Sequence, residues 1–81
     1  MKILVVEDEE VIREFMVMAI EGLGHETRAA ADGKAGLQAF NAFKPDIVFA
    51  DIQMPVMNGL EMLEKLRKID NEALVIINTT L

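Results

Sequence analysis

Residues 46–59, DIVFADIQMPVMNG, hold the pattern that decides the fold. The stretch contains an apolar run, IVFA, and the carboxylate of Asp51 follows it directly. A short apolar run without alternation, bounded by turn residues, is typical of a strand that is buried on both faces. A Met-Pro pair at 54–55 comes next, and because proline keeps the preceding residue out of the α region, neither the strand nor an early helix can continue there. We therefore predict that Asp51 lies at the carboxyl end of a buried strand, where open α/β sheets bind their ligands.

A second apolar run, ILVV at residues 3–6, also ends in acids, Glu7 and Asp8. Neighbouring strands lie about 4.8 Å apart, so parallel pairing of the two runs would bring three carboxylates into one small volume. Carboxylates, main-chain carbonyls and water are the ligands that Mg²⁺ takes, and one carboxylate near a bound metal can act as a phosphoryl-accepting nucleophile. Charge alone favours a simpler interpretation of the acids at 7–10, a solvated helix start. That interpretation is weaker for Asp51, because an acid that follows a wholly apolar strand is unusual as a helix cap.

Composition and charge exclude several classes of protein. The chain has 81 residues, which allows one domain, and no cysteine, which excludes disulfides, thiol nucleophiles and cysteine-based zinc sites. Its formal net charge of −6 argues against a direct nucleic-acid interface. No apolar run approaches the roughly 20 residues of a membrane span, and the first run stops at Glu7, too early for a signal peptide. We therefore expect a single cytoplasmic domain over residues 1–81.

Strand and helix patterns alternate along the chain. Strands are predicted at residues 2–6, 25–30, 47–50 and 73–80. Apolar residues at helical spacing predict three intervening helices, with Ile12, Phe15, Met16, Ala19 and Leu23 in the first, Gly36, Ala39, Phe40 and Phe43 in the second, and Met62, Leu63, Leu66 and Ile69 in the third. Asp32 and Asn58 are predicted to cap the second and third helices, and we expect Phe15 and Phe40 to pack in the core. The βαβαβαβ order indicates a parallel sheet with helices on both faces.

Several motifs occur together and in a fixed order, and their joint occurrence is highly specific. They are ILVVEDE at 3–9, ADG at 31–33 with the helix that follows, KPDIVFADIQMP at 44–55 with MNG at 57–59, and VIINT at 75–79. On these motifs the chain resembles the amino-terminal two thirds of a response-regulator receiver domain, the phospho-aspartate switch of two-component signalling. The resemblance implies a flavodoxin-like α/β fold, truncated to βαβαβαβ, without the family's fourth helix, fifth strand and fifth helix.

The resemblance also implies a role for each matching residue. Asp51 would accept a phosphoryl group from a histidine kinase or a small phosphodonor, so the chain would be an acceptor and not a conventional enzyme. Glu7 and Asp8 would hold Mg²⁺ together with Asp51 and the main-chain carbonyl of Gln53. The hydroxyl of Thr79 would bind a phosphoryl oxygen and so report phosphorylation. The Gln53 side chain stands where the family tunes the lifetime of the acyl phosphate.

The end of the sequence at Leu81 departs from the family's pattern. The family's fifth strand carries a lysine that pairs with the phosphoryl group, and this sequence has no counterpart. In the flavodoxin-like strand order 2-1-3-4-5, loss of the fifth strand would leave residues 74–80 as an uncharged, β-branched edge that invites pairing with another chain. We expect a homodimer through this fourth strand and through the sheet surface that the missing helices would cover.

Three functions from different classes remain open. The first is a phospho-accepting receiver module that depends on Mg²⁺. The second is a receiver fragment that is not phosphorylated and self-associates as a structural or interaction module. The third is a phosphatase with a nucleophilic aspartate. Phosphatases of that kind usually carry a second acid two residues after the nucleophile, and because Gln53 stands at that position we rank the phosphatase last.

Overall fold

The computed structural model describes residues 1–51, 57–70 and 72–78. Its elements alternate as the sequence predicts: β1 (Lys2–Val6), α1 (Glu10–Gly22), β2 (Glu26–Ala30), α2 (Gly33–Phe43), β3 (Ile47–Asp51), α3 (Gly59–Ile69) and β4 (Leu74–Asn78). β2 begins one residue later than predicted. The predicted end of the fourth strand, at residue 80, lies outside the described residues.

The four strands form one parallel sheet in the order β2-β1-β3-β4. β1 lies between β2 and β3, and Val6 stands opposite Ala30 on one side and Ala50 on the other. β3 pairs with β4 on its other side, with Asp51 opposite Asn78. The predicted α/β fold with a flavodoxin-like strand order is therefore confirmed.

The main core lies between one face of the sheet and the helices α2 and α3. Side chains alternate along a strand, so every second residue of β1, β3 and β4 faces this core. Its buried members are Leu4, Val6, Ala30, Phe40, Val48, Ala50, Met62 and Leu66. Phe40 packs in the core as predicted.

Two glycines let α2 approach its neighbours closely. A Cβ atom on Gly36 would lie 2.9 Å from Met62 Sδ and 2.9 Å from Val6 Cγ2, both of which are fully packed. The N–H of Gly33 donates to the carbonyl oxygen of Met57 at 3.2 Å, and a Cβ atom on Gly33 would lie 2.5 Å from that oxygen. α2 is thus held against β1, against α3 and against the segment that leads into α3.

The two predicted helix caps are present. The Asp32 side chain accepts a hydrogen bond from the N–H of Ala35 at 2.8 Å, and the Asn58 side chain accepts one from the N–H of Glu61 at 2.9 Å. These bonds satisfy main-chain donors that the first turn of a helix leaves unpaired. Within the described residues, no helix is long and apolar enough to span a membrane.

α1 covers only part of the opposite face of the sheet. It contacts β1 and β2, and Ile3 and Val5 on that face of β1 are buried. No residue of α1 is itself buried, and Phe15 is 72% exposed. The expectation that Phe15 packs in the core is wrong, because helical spacing shows that α1 has an apolar face but not that another element lies against it.

The rest of that face forms an apolar surface, which we call the open sheet face: Ile47, Phe49, Leu74 and Ile76. Alternation along β3 and β4 puts these residues on the side away from the main core. Leu74 is 55% exposed and Ile76 is 42% exposed, while Ile47 and Phe49 are half-buried. The sequence-based expectation of exposed apolar sheet surface is confirmed for these strands.

Candidate metal centre

Parallel pairing of β1 and β3 brings the three predicted acids together. β1 ends at Val6 and β3 ends at Asp51, and the register sets Val6 opposite Ala50. Glu7 therefore follows β1 at the edge where Asp51 ends β3. One carboxylate oxygen from each of Glu7, Asp8 and Asp51 lies within 4.8 Å of the others. The convergence that the sequence predicts is confirmed.

Two of the three acids are removed from solvent. Glu7 is 4% exposed and Asp51 is 8% exposed, whereas Asp8 is more accessible. Burial raises the pKa of Glu7 above that of an ordinary glutamate, and the neighbouring Asp8 and Asp51 raise that pKa further. A hydrogen bond from the N–H of Glu9 acts in the opposite direction and favours the ionised form. The edge is thus a place where negative charge is costly without a cation.

Hydrogen bonds restrain the main chain around these acids. The N–H of Glu7 donates to the carbonyl oxygen of Ala30 in β2 at 3.0 Å. The N–H of Glu9 donates to Glu7 Oε2 at 3.1 Å. A guanidinium N–H of Arg13 donates to the carbonyl oxygen of Glu7 at 2.9 Å.

Arg13 did not emerge from the sequence as a residue of the site. The signal that could have identified it is its position, about one turn into the helix that follows the acids. A cation there is opposed by the helix dipole, whose positive end is at the N-terminus, so its presence calls for a separate reason.

Two predicted site residues, Gln53 and Thr79, lie outside the described residues. Their roles in metal binding and in sensing the phosphoryl group stay predictions. For the residues that are described, the donor set consists of carboxylate oxygens, which suits a hard dication such as Mg²⁺ held by one or two carboxylates with water and a phosphate. The cluster could therefore hold a metal ion.

The comparison with known proteins agrees with this geometry. Residues 3–81 match the model of the response regulator receiver domain. The chain belongs to this family. The regulator of RpoS of Escherichia coli strain K12 is 41% identical over 76 residues, which are 94% of this chain and 23% of that protein.

Solved receiver domains have the same fold. The response regulator TrrA of Thermotoga maritima, solved in complex with Mg²⁺-BeF, has a TM-score of 0.93 and 36% identity, and the match covers 99% of this chain and 70% of that one. The receiver domain of the Francisella response regulator 1452 has a TM-score of 0.91 and 35% identity, over 99% of this chain and 66% of that one. The chain thus spans about a quarter of the regulator of RpoS and about two thirds of these solved chains.

Family membership defines the broad role of the chain. Receiver domains act in two-component signalling, where they interact with histidine kinases or phosphodonors. They are phosphoryl acceptors and not conventional enzymes, which agrees with the sequence-based expectation.

Proposed function

We propose that this receiver domain accepts a phosphoryl group on Asp51 in a reaction that depends on Mg²⁺. The observation that carries the proposal is the cluster of Glu7, Asp8 and Asp51, with one oxygen of each within 4.8 Å of the others at the carboxyl ends of two adjacent strands. The similarity to TrrA, which was solved with Mg²⁺ and a beryllofluoride group, supports it.

In this proposal Glu7, Asp8 and Asp51, with the main-chain carbonyl of Gln53, would hold Mg²⁺. The ion would supply positive charge against the oxygens of the incoming phosphoryl group, which otherwise meet a carboxylate of the same sign. Residue 53 lies outside the described residues, so its share in the donor set rests on the family resemblance.

The transfer itself is a substitution at phosphorus. An Oδ atom of Asp51 forms a bond to the phosphorus of a phosphohistidine or of a small phosphodonor, and the bond from phosphorus to the donor breaks. The leaving group keeps the electron pair of that bond: a histidine imidazole then takes a proton from solvent, whereas acetyl phosphate releases acetate. Burial of Asp51 restricts the access of water to the acyl phosphate that results.

Thr79 would sense the phosphorylation of Asp51. A phosphoryl group on Asp51 adds about −1.5 to −2 charges and three acceptor oxygens. The Thr79 hydroxyl would donate to one of these oxygens, which couples the modification to the chain that follows β4. The Gln53 side chain would tune the lifetime of the acyl phosphate.

The test is the intact mass of the folded chain after incubation with Mg²⁺ and acetyl phosphate, run beside Asp51→Asn. We expect one phosphoryl group on the parent and none on the variant. An unmodified parent whose circular dichroism shows an intact fold would contradict the proposal, and so would an adduct on Asp51→Asn.

A second candidate function is self-association. The open sheet face is apolar and accessible, and among the described residues β4 pairs with β3 alone. We propose that two copies associate as a homodimer through β4 and this face. In a chain that is not phosphorylated, this association would be its main property.

A further inference from the structure

Arg13 makes side-chain hydrogen bonds to the turn that carries two of the acids. Its Nη1 atom donates to the carbonyl oxygen of Glu7 at 2.9 Å and lies 3.4 Å from the carbonyl oxygen of Asp8. The same residue begins the hydrogen bonding of α1, because its main-chain N–H donates to the carbonyl oxygen of Glu9 at 2.9 Å. Arg13 thus joins the start of α1 to the three residues before it, Glu7, Asp8 and Glu9.

These bonds complete the restraint of Glu7. The N–H of Glu7 is bonded to β2, its carbonyl oxygen to Arg13 and its carboxylate to the N–H of Glu9. Of the three bonds, the one from Arg13 is the only one donated by a side chain. It can therefore be removed by substitution while every carboxylate stays in the chain.

The restraint matters because the acids repel one another. Glu7, Asp8 and Asp51 carry like charges at short range, and two of them are buried, so the free turn would relax to separate them. Groups that orient metal ligands from outside the ligand set typically contribute about 10–100-fold to metal affinity. Both contacts come from the single Nη1 atom of Arg13, whose two N–H donors lie in the fixed plane of the guanidinium, so one nitrogen can hold the two adjacent carbonyl oxygens.

We propose that Arg13 is a positioning residue of the metal centre, which holds the main chain of Glu7 and Asp8 so that their carboxylates keep the spacing that a divalent cation needs. This inference rests on the proposed function, because it takes the acid cluster to be a Mg²⁺ site. Arg13 acts through the main chain and would not itself touch the ion.

The direction in which Mg²⁺ affinity changes on substitution of Arg13 distinguishes a positioning role from an effect of its charge. Arg13 is a cation near the proposed cation site, so removal of its charge alone would strengthen Mg²⁺ binding. Loss of positioning would weaken Mg²⁺ binding. A role confined to the stability of α1 would lower the melting temperature and leave the affinity of the folded chain unchanged.

The experiment measures Mg²⁺ affinity by calorimetry, at a temperature where each variant is folded, for the parent, Arg13→Gln, Arg13→Lys and Arg28→Gln. Arg28→Gln is the matched control, since it removes the same charge from mid-strand β2, where the guanidinium lies over the Phe43 ring. We expect Arg13→Gln to weaken binding by about tenfold or more. Arg13→Lys keeps one donor group and should recover part of the loss, while Arg28→Gln should bind as the parent does.

A measurement without metal tests whether Arg13 restrains the turn at residues 7–9. Hydrogen exchange at the Glu9 amide, which bonds the Glu7 carboxylate, should be faster in Arg13→Gln than in the parent and unchanged in Arg28→Gln. Equal or tighter Mg²⁺ binding by Arg13→Gln, or unchanged exchange at Glu9, would overturn the inference while the metal site stands. Absence of Mg²⁺ binding by the folded parent would overturn the proposed function itself.

Discussion

The Glu7 carboxyl group is almost inaccessible, yet its own turn and the neighbouring strand supply two further acids. Burial and these acids raise its pKa, so folding favours the protonated form over the ionised one. A carboxyl whose pKa is higher in the folded chain than in the unfolded chain loses stabilising effect as pH rises, because the folded state then holds a proton that it must release. The metal-free protein should therefore lose stability as pH rises through the raised pKa of Glu7.

Glu7→Gln tests this arrangement at the level of one residue. In EDTA at pH 7 the variant should melt at a higher temperature than the parent, because the amide carries no charge into the buried site and its oxygen can still accept from the N–H of Glu9. The difference should shrink below the ordinary pKa of a glutamate, where the parent's carboxyl is protonated in both states. A variant less stable than the parent at pH 7 would show that the ionised Glu7 carboxylate does not destabilise the folded state.

Mg²⁺ should reverse the order of the melting temperatures of the parent and Glu7→Gln. A ligand at 100 times its dissociation constant stabilises the folded state by about 2.7 kcal/mol, and only the parent retains the full set of carboxylates. The rise in melting temperature on addition of Mg²⁺ should be large for the parent and small for Glu7→Gln.

Among the secondary-structure elements, α2 depends on the absence of a side chain at Gly36. Helix propensity alone favours alanine there by about 1 kcal/mol. The structure argues the reverse, since a Cβ atom would lie 2.9 Å from Met62 Sδ and 2.9 Å from Val6 Cγ2.

We expect Gly36→Ala to lower the free energy of unfolding by up to about 2 kcal/mol, because overpacking costs about 1–3 kcal/mol and the better helix propensity of alanine returns about 1 kcal/mol. Gly22→Ala is the matched control, because Gly22 ends α1 and a Cβ atom there would meet nothing within 4 Å. That control should be neutral or slightly stabilising. Urea denaturation of both variants gives the measurement, and a Gly36→Ala variant as stable as Gly22→Ala would contradict the close packing of α2.

The same elements show how far the sequence predicts the molecule. The strands and the convergence of Glu7, Asp8 and Asp51 are predictable, because an apolar run sets a buried strand and the spacing of parallel strands sets the distance between residues at their ends. The hydrogen bonds from Arg13 to the turn are not predictable, because a bond from a side chain to a main-chain carbonyl oxygen leaves no periodic pattern in the sequence. The burial of Phe15 is not predictable for another reason. An amphipathic pattern shows where the apolar face of a helix is but not whether another element covers it.

The whole molecule has an asymmetric distribution of apolar surface. One side of the sheet is closed by α2 and α3, while the other carries α1 over β1 and β2 and the open sheet face over β3 and β4. Contiguous exposed apolar surface drives association, and an edge strand without charged side chains offers main-chain groups for pairing.

Ile76→Lys should weaken the proposed homodimer, because it puts a charge in the open sheet face on the strand that would pair. We expect the parent to sediment as a dimer at tens of micromolar and Ile76→Lys to sediment as a monomer with an unchanged circular dichroism spectrum. Leu60→Lys, at an exposed position of α3 on the other side of the molecule, is the control and should stay dimeric. A monodisperse parent monomer at this concentration would rule out the dimer.

Asp51 should accept a phosphoryl group only when a divalent cation is bound at the acid cluster. The most direct test is the extent of modification by acetyl phosphate, read by intact mass, with Mg²⁺ and with EDTA on the same folded sample. We expect one phosphoryl group per chain with Mg²⁺, located on Asp51 by peptide mapping, and none with EDTA. Equal modification in both conditions, or no modification with Mg²⁺, would contradict it.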